Sequence, residues 1–211
     1  MLRTRLQHAG RFLGWLSVAL LLSHCAQLPE QSPDSLNLSA NQQALRALEK
    51  WQLQGKLGVR LPDDNGSARL SWQQHNDSFF ISLSGPLGQG RVEINGEPGR
   101  VVLRDGEHAP ISAESPEALI FQATGWDLPV SALRYWVLGL PVADTEVTQL
   151  SYRDDQLPER FSQLGWQLHF KRYYQQQGLW LPSLLSATTQ TPGGENIRLT
   201  VAINQWELQR D

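Results

Sequence analysis

Residues 51–72 read WQLQGKLGVRLPDDNGSARLSW, and their periodicity decides the fold. Trp51, Leu53, Leu57, Val59 and Leu61 recur in step of two, with Gln52, Gln54, Lys56 and Arg60 between them. Successive strand side chains point to opposite faces, so this is a ribbon apolar on one side and polar on the other. Pro62-Asp63-Asp64-Asn65-Gly66 then turns with Asn-Gly chemistry. Ala68, Leu70 and Trp72 resume the alternation against Arg69, Ser71 and Gln73, which completes a β-hairpin.

The same pattern continues outward. Phe79, Ile81 and Leu83 alternate with Ser82 and Ser84, and Val92 and Ile94 with Arg91 and Glu93. Residues 95–99 read as a turn, 100–104 as a strand, and Asp105-Gly106 as another turn. Near the C-terminus Trp166, Leu168 and Phe170 alternate with Gln167, His169 and Lys171. Residues 181–191 are a further strand candidate, and Gly193-Gly194 turns into Ile197, Leu199, Val201 and Ile203. The expectation is a mainly β chain of eight or more antiparallel strands, each apolar on one face.

Helical signals are few. Leu45, Leu48 and Trp51 recur every third residue and predict a helix over 39–51. Ser115-Pro116-Glu117 supplies a cap and a first-turn proline for a helix through 118–123, stopped by Gly125. Pro129 opens a third, with Val130, Leu133 and Val137 on one stripe and Gly139 and Pro141 at its end. About three short helices cannot blanket so wide an apolar sheet unless the sheet curls. They either fill it, giving a packed core, or lid it loosely, leaving an apolar cavity. Packed interiors are the general rule, and the pattern by itself leans that way. Eight tryptophans suit either outcome.

Before the β region, Arg3, Arg5 and Arg11 lead into FLGWLSVALLL at 12–22, closed by Ser23-His24-Cys25. A charged start, a short apolar run and a cleavage zone make residues 1–24 an export signal. The run is half the roughly 20 residues that span a bilayer as a helix. Cys25 is the single cysteine, so no internal disulfide framework or thiolate metal site is available. Residues 26–38, with Pro29 and Pro33, read as a flexible tether, and 39–211 as one folded domain. Three of the 18 basic residues and none of the 21 acidic ones precede Cys25, which leaves 15 against 21, a net charge of −6. That balance argues against a nucleic-acid binder.

Signals of catalysis are weak. Gly85-Pro86-Leu87-Gly88-Gln89-Gly90 lacks the Rossmann spacing and leads into a strand rather than a helix. His75, His108 and His169 fall in a turn, a loop and a polar strand face, with no second histidine at ligand spacing. Glu114 and Glu117 flank a helix start, where a carboxylate favours the dipole. No catalytic residue, metal or cofactor is therefore expected. Leu87, by contrast, is the one large apolar side chain of a glycine-rich connection between two strands, where tips are ordinarily polar. It either folds back onto the sheet or is held out toward a membrane.

Taken together, Leu22-Ser23-His24-Cys25, SLSGPLGQGRVEIN at 82–95, LRYWVLGLP at 133–141 and the closing Asn204-Gln205-Trp206 resemble the LolB family of outer-membrane lipoproteins. His24 stands where the family's lipobox has Gly, Ala or Ser. The resemblance implies an incomplete, open antiparallel β-barrel lidded by about three α-helices, with an apolar cavity between. It implies acylation of Cys25 and a lipid anchor in the periplasmic leaflet of the outer membrane, with which Ala26 is compatible. It further implies a monomer that is not an enzyme. Such a protein receives acylated lipoprotein cargo from the periplasmic carrier LolA and inserts it among outer-membrane phospholipids without nucleotide hydrolysis. Leu87 matches the protruding leucine that helps place cargo in the membrane. Leu57, Val59, Leu70, Trp72, Phe79, Ile81 and Leu83 from the strands, and Leu119, Leu133 and Trp136 from the lid, are the candidates for the acyl site. The competing readings on the same half-barrel are a lipid- or peptide-binding sensor, a hydrolase with a dispersed site, and a structural lipoprotein with a filled core.

Overall fold

A computed structural model describes residues 38–85, 90–125 and 128–209. Cys25 and Leu87 lie outside them. Helix α1 (Leu38–Arg46) leads into β1 (Lys50–Arg60), β2 (Asn65–His75), β3 (Ser78–Ser84), β4 (Val92–Glu97), β5 (Arg100–Arg104) and β6 (Ile111–Ala113). Helices α2 (Pro116–Thr124) and α3 (Val130–Trp136) follow. The chain then returns through β7 (Thr148–Tyr152), β8 (Pro158–Gln163), β9 (Trp166–Gln176), β10 (Leu179–Gln190) and β11 (Asn196–Gln209). All eleven strands form one antiparallel sheet, ordered β6-β5-β4-β3-β2-β1-β11-β10-β9-β8-β7.

That order dictates where the helices go. The first and last strands pair at the centre, and β6 and β7 are the two edges. Residues 114–147 must therefore cross from one edge to the other, and they carry α2 and α3. Helix α3 touches both walls. Arg134 Nη1 donates to Asp77 Oδ1 (2.8 Å) in the β2–β3 turn, and Trp136 Nε1 donates to Gln163 Oε1 (3.1 Å) at the end of β8. Leu119, Trp136 and Val137 have no exposed surface and share one cluster with the apolar strand face. The architecture is an open half-barrel with its helices laid into the concave side.

Local chemistry sets the element ends. Ser115 Oγ accepts from Ala118 N (3.1 Å), and Gly125, at φ 75°, closes α2 with its N–H on Phe121 O (2.7 Å). Gly55 faces β11 so closely that a Cβ there would overlap Ala202 O. At this level Gln54 pairs with Gln205 but Gly55 with Ile203, so β11 bulges at Asn204 and its inward phase shifts. Ile203 is buried, Asn204 and Gln205 are both exposed, and Trp206 is buried again.

Three expectations need correction. The helix predicted over 39–51 ends at Arg46, and Trp51 belongs to β1. Its backbone is paired on both sides, to Gln74 and Leu208, and a doubly laddered central strand outweighs a three-residue spacing. The turn expected over 95–99 starts later, because β4 runs through Glu97. Gly96 is held in the strand beneath the ring of its cross-strand partner Phe79, where a Cβ would collide. Strands β6, β7 and β8, of three, five and six residues, lie in the region read as helical or featureless.

Candidate functional site

The apolar concave face is packed unevenly along its length. At one end of the strands Trp51 meets Trp72 (ring centroids 5.3 Å) and Trp206 (5.4 Å), and all three are buried. The Trp72 Nε1–H donates to Gln74 Oε1 (3.0 Å) and the Trp206 Nε1–H to Pro182 O (3.2 Å), so large rings fill this end without stranding a donor. At the opposite strand ends Leu57, Val59, Leu83 and Val92 are only half-buried. Leu83 pairs with Val92, whereas Leu103 and Ile111, also half-buried, share the ladder row of Ile81 and Trp72. The connection that carries Leu87 leaves β3 and enters β4 at this same end. On the β1–β4 side one end of the half-barrel is thus a plug of tryptophan and the other a partly open apolar rim, while across β11 Ile197, Leu199 and Val201 are buried at that same end.

The proposed acyl residues do not all follow this gradient, since Phe79 lies at the tryptophan end, in the row of Gln74 and Trp51. Leu70, Trp72 and Ile81 are buried in the sheet, while Leu57, Val59, Phe79 and Leu83 are half-buried. Among the lid residues Leu119 and Trp136 are fully enclosed and Leu133 half-buried. A cleft of about 170 Å³ between sheet and lid is bordered by Trp72, Phe79, Val101, Pro116, Val130 and Arg134. Ligand pockets typically offer roughly 300–1,000 Å³. In this conformation the helices occupy much of the concave face themselves.

Two polar devices hold the lid, and neither was legible from the sequence. Gln163 is 2% exposed. Its Oε1 accepts from Trp136 Nε1 and from Val142 N (2.9 Å), and its Nε2 donates to Val142 O (2.9 Å) and Thr145 O (3.2 Å). Every hydrogen-bonding valence on one face of the amide is spent fastening α3 and the chain after it to β8. The signal for it is a polar residue two positions after Phe161, in a strand too irregular to be recognised. On the other wall, Arg134 pairs with Asp77 and stacks over Tyr135, 5.0 Å from the ring centroid. Glu117, read as a helix-start carboxylate, accepts from Ser131 N (2.6 Å) and Ser131 Oγ (3.1 Å), tying α2 to α3.

The titratable groups singled out as catalytic candidates stay apart. His108 Nδ1 lies 2.7 Å from Asp105 Oδ2 on an exposed turn. Backbone and side-chain hydrogen bonds from His108, then from the Glu107 N–H, lower the Asp105 carboxyl to about 2, and the Asp105 hydrogen bond raises His108 above the ordinary imidazole value. His169 stands on the outer wall, lowered first by burial and then by the charges of Arg160 and Lys171. Tyr173 donates its hydroxyl to Pro158 O (2.8 Å), and burial pushes its phenol far up. Among the described residues no three of His, Cys, Asp and Glu gather as a metal-binding group, and no helix is long and apolar enough to cross a membrane.

Comparison with known proteins bears on this arrangement. Residues 49–206 match the family model described as outer membrane lipoprotein LolB. Proteins named outer-membrane lipoprotein LolB are similar along nearly the whole chain. The one from Cellvibrio japonicus is 41% identical over 197 residues, covering 92% of this chain and 94% of its own. That from Chromohalobacter salexigens is 39% identical, covering 95% and 91%. Among solved structures, a LolA superfamily protein from Nitrosomonas europaea superposes with a TM-score of 0.53 at 8% identity, over 82% of this chain and 93% of that one. A DUF1329 family protein from Desulfovibrio piger gives 0.53 at 9% identity, over 83% and 92%. At such identities these two structures bear on the fold alone.

Proposed function

The chain belongs to the LolB family, and on that premise we propose that it is an outer-membrane lipoprotein that accepts other lipoproteins from the periplasmic carrier LolA and passes them into the outer membrane. Acylated Cys25 anchors it in the periplasmic leaflet, with residues 26–38 as tether. The observation that carries the reading is the concave face, plugged with tryptophan at one end and, along β1–β4, half-open and apolar at the other, under a lid held by hydrogen bonds.

The physics of the task explains such a design. Three acyl chains hold on the order of 40 methylenes, each worth about 0.8 kcal/mol on burial, so tens of kcal/mol oppose their exposure to water. They must move from one covered apolar site to another. Entry is at the rim of Leu57, Val59 and Leu83, and the chains displace Leu119, Leu133 and Trp136 from the sheet. No phosphate-binding motif is present, so transfer runs down a difference in affinity, tenfold for each 1.4 kcal/mol. Leu87, in the β3–β4 connection, would give about 1.5–3 kcal/mol of contact with a bilayer, enough to bias orientation but not to anchor.

Mixing the lipidated protein with acyl-loaded carrier and outer-membrane vesicles tests the reading. Cargo should change hands and reach the vesicles without added nucleotide. Leu87→Glu should still take up cargo but deposit it poorly. Cargo that stays on the carrier would refute the receptor role, and normal deposition by Leu87→Glu would remove that side chain from the mechanism.

A further inference from the structure

The β7–β9 edge of the sheet carries a surface that the transfer reading does not use. Four large apolar side chains are exposed among the described residues, and three are here: Leu150 (49%) and Tyr152 (47%) on β7, and Leu164 (52%) in the β8–β9 turn. Leu164 is the least expected. It and Gly165 form a two-residue hairpin turn with φ 53° and 76°, the left-handed pair that favours Asn-Gly. A leucine in that conformation is strained. It is nonetheless mounted rigidly. Gln163 before it is the buried amide hub, Trp166 after it is buried against Trp136 (6.5 Å), and Thr189 Oγ1 donates to Gly165 O (2.9 Å). A strained apolar tip on a rigid base is presented outward, where a polar residue would fit the backbone better.

Beside this edge the outer wall holds a cleft of about 550 Å³. Arg160, Lys171 and Arg198 line it together with serine, threonine and glutamine, and no carboxylate lines it. Arg198 stands directly opposite Arg60 in the β1–β11 ladder, a like-charge pair that costs stability. His169 in the same cleft registers the local field, since Arg160 and Lys171 both act against its protonation, with Glu159 acting the other way. The sequence after Cys25 carries a net charge of −6, so this concentration of cations is local.

We propose that the β8–β9 corner of this wall is a second membrane-contact surface, in which Leu164 enters the bilayer interface while Arg160, Lys171 and Arg198 engage phospholipid phosphates. Charge selects this occupant: cations without carboxylate partners complement anionic headgroups, and an exposed leucine at the tip beside them suits the boundary between headgroup and acyl chain. The inference rests on the membrane-anchored reading above. Combined with a contact made by the β3–β4 connection, one on the far half of the sheet fixes how the half-barrel stands on the membrane.

The test uses the full lipidated chain with Leu164→Cys, whose thiol is the only free one once Cys25 is acylated, labelled with a fluorophore. It is reconstituted in phosphatidylethanolamine–phosphatidylglycerol vesicles with brominated acyl chains. The label should be quenched at least twofold, whereas one at Pro98→Cys, in the β4–β5 turn at the opposite strand ends, should not. Binding of the unacylated Cys25→Ala chain to the same vesicles should fall about tenfold with Leu164→Asn. Unfolding should show that variant to be no less stable, because asparagine suits the left-handed turn. Arg160→Gln with Lys171→Gln should remove the salt dependence of binding. An unquenched label at 164, or quenching that needs the carrier, would overturn the proposal, the second result assigning the edge to protein docking. Cargo transfer measured on the same samples separates the two readings. Transfer with an unquenched tip refutes this contact alone, and quenching without transfer refutes the receptor role alone.

Discussion

Replacing Gln163 by leucine should loosen the lid by a calculable amount. The amide makes four hydrogen bonds, to Trp136, twice to Val142 and to Thr145. Leucine approximates its shape and makes none. The Trp136 indole N–H has no exposed surface around it and would be left without an acceptor, at about 1–3 kcal/mol. The three backbone bonds are partly buried and can turn to water, so each contributes near the lower end, about 0.5 kcal/mol. Leucine returns about 1 kcal/mol through its more apolar surface. The net loss is about 1.5–3.5 kcal/mol, a sizeable part of the roughly 5–15 kcal/mol that holds a domain together. Urea unfolding of purified protein should show the midpoint lowered at an unchanged slope. Native-state hydrogen exchange should speed up across 133–145 more than in β1 and β11. Gln163→Glu adds a pH signature. Burial raises the introduced carboxyl's pKa in the folded state, so stability is lost as pH rises through that value and recovered on acidification toward the unfolded value near 4.3. A loss under about 0.5 kcal/mol, or exchange that rises evenly over the sheet, would refute the assignment of this amide as the lid's fastening.

Other substitutions probe other parts of the molecule. Gly55→Ala places a Cβ on the Ala202 carbonyl and should cost at least about 2 kcal/mol by thermal unfolding, whereas an alanine tolerated there would mean the β1–β11 bulge relaxes freely. Asp105→Asn should return the His108 titration toward the ordinary imidazole value by NMR, and an unmoved His108 would break the link between them. Asp105 itself, held down to about 2, favours the turn above its unfolded value, and that contribution disappears only as pH falls through about 2. Cys25→Ala behind an ordinary secretory signal should yield protein in the soluble fraction, and membrane recovery undiminished by the change would argue against acylation as the anchor.

The sequence made legible what rests on strict alternation. β1, β2, β3, β9 and β11 are where step-two patterning placed them, and the Ser115-Pro116 and Gly125 signals bound α2 as expected. What was hidden depends on partners distant in sequence. Trp51 counts as helical only until β11 is known to lie beside it. β8 was not recognised because Gln163 occupies an inward position that alternation assigns to an apolar side chain. The amide is tolerated there because Trp136 and Val142, 27 and 21 residues away, satisfy it. The acyl candidates were legible as a face but not as a gradient. Periodicity says which side of a strand points inward, not which end a tryptophan plugs.

The closed lid has an energetic logic of its own. A bare apolar concave face would expose a patch large enough to aggregate, and on the proposed receptor reading Leu119, Leu133 and Trp136 cover the face that acyl chains would take. Freeing the tryptophan uncovers about 150–250 Å², or about 4–6 kcal/mol at 25 cal/mol per Å², and each leucine adds about 1.5–3 kcal/mol. The cost of opening is therefore on the order of 10 kcal/mol, against roughly 30 kcal/mol for covering 40 methylenes. Affinity is the difference, and it is tuned by the fastenings of the lid and not by the greasiness of the sheet. A fastening worth about 1.5–3.5 kcal/mol changes the split between donor and acceptor roughly 10- to 300-fold. Gln163→Leu should accordingly bind an acyl probe more tightly while unfolding more easily. Should affinity and stability fall together, the side chains that cargo displaces are not those that Gln163 holds down.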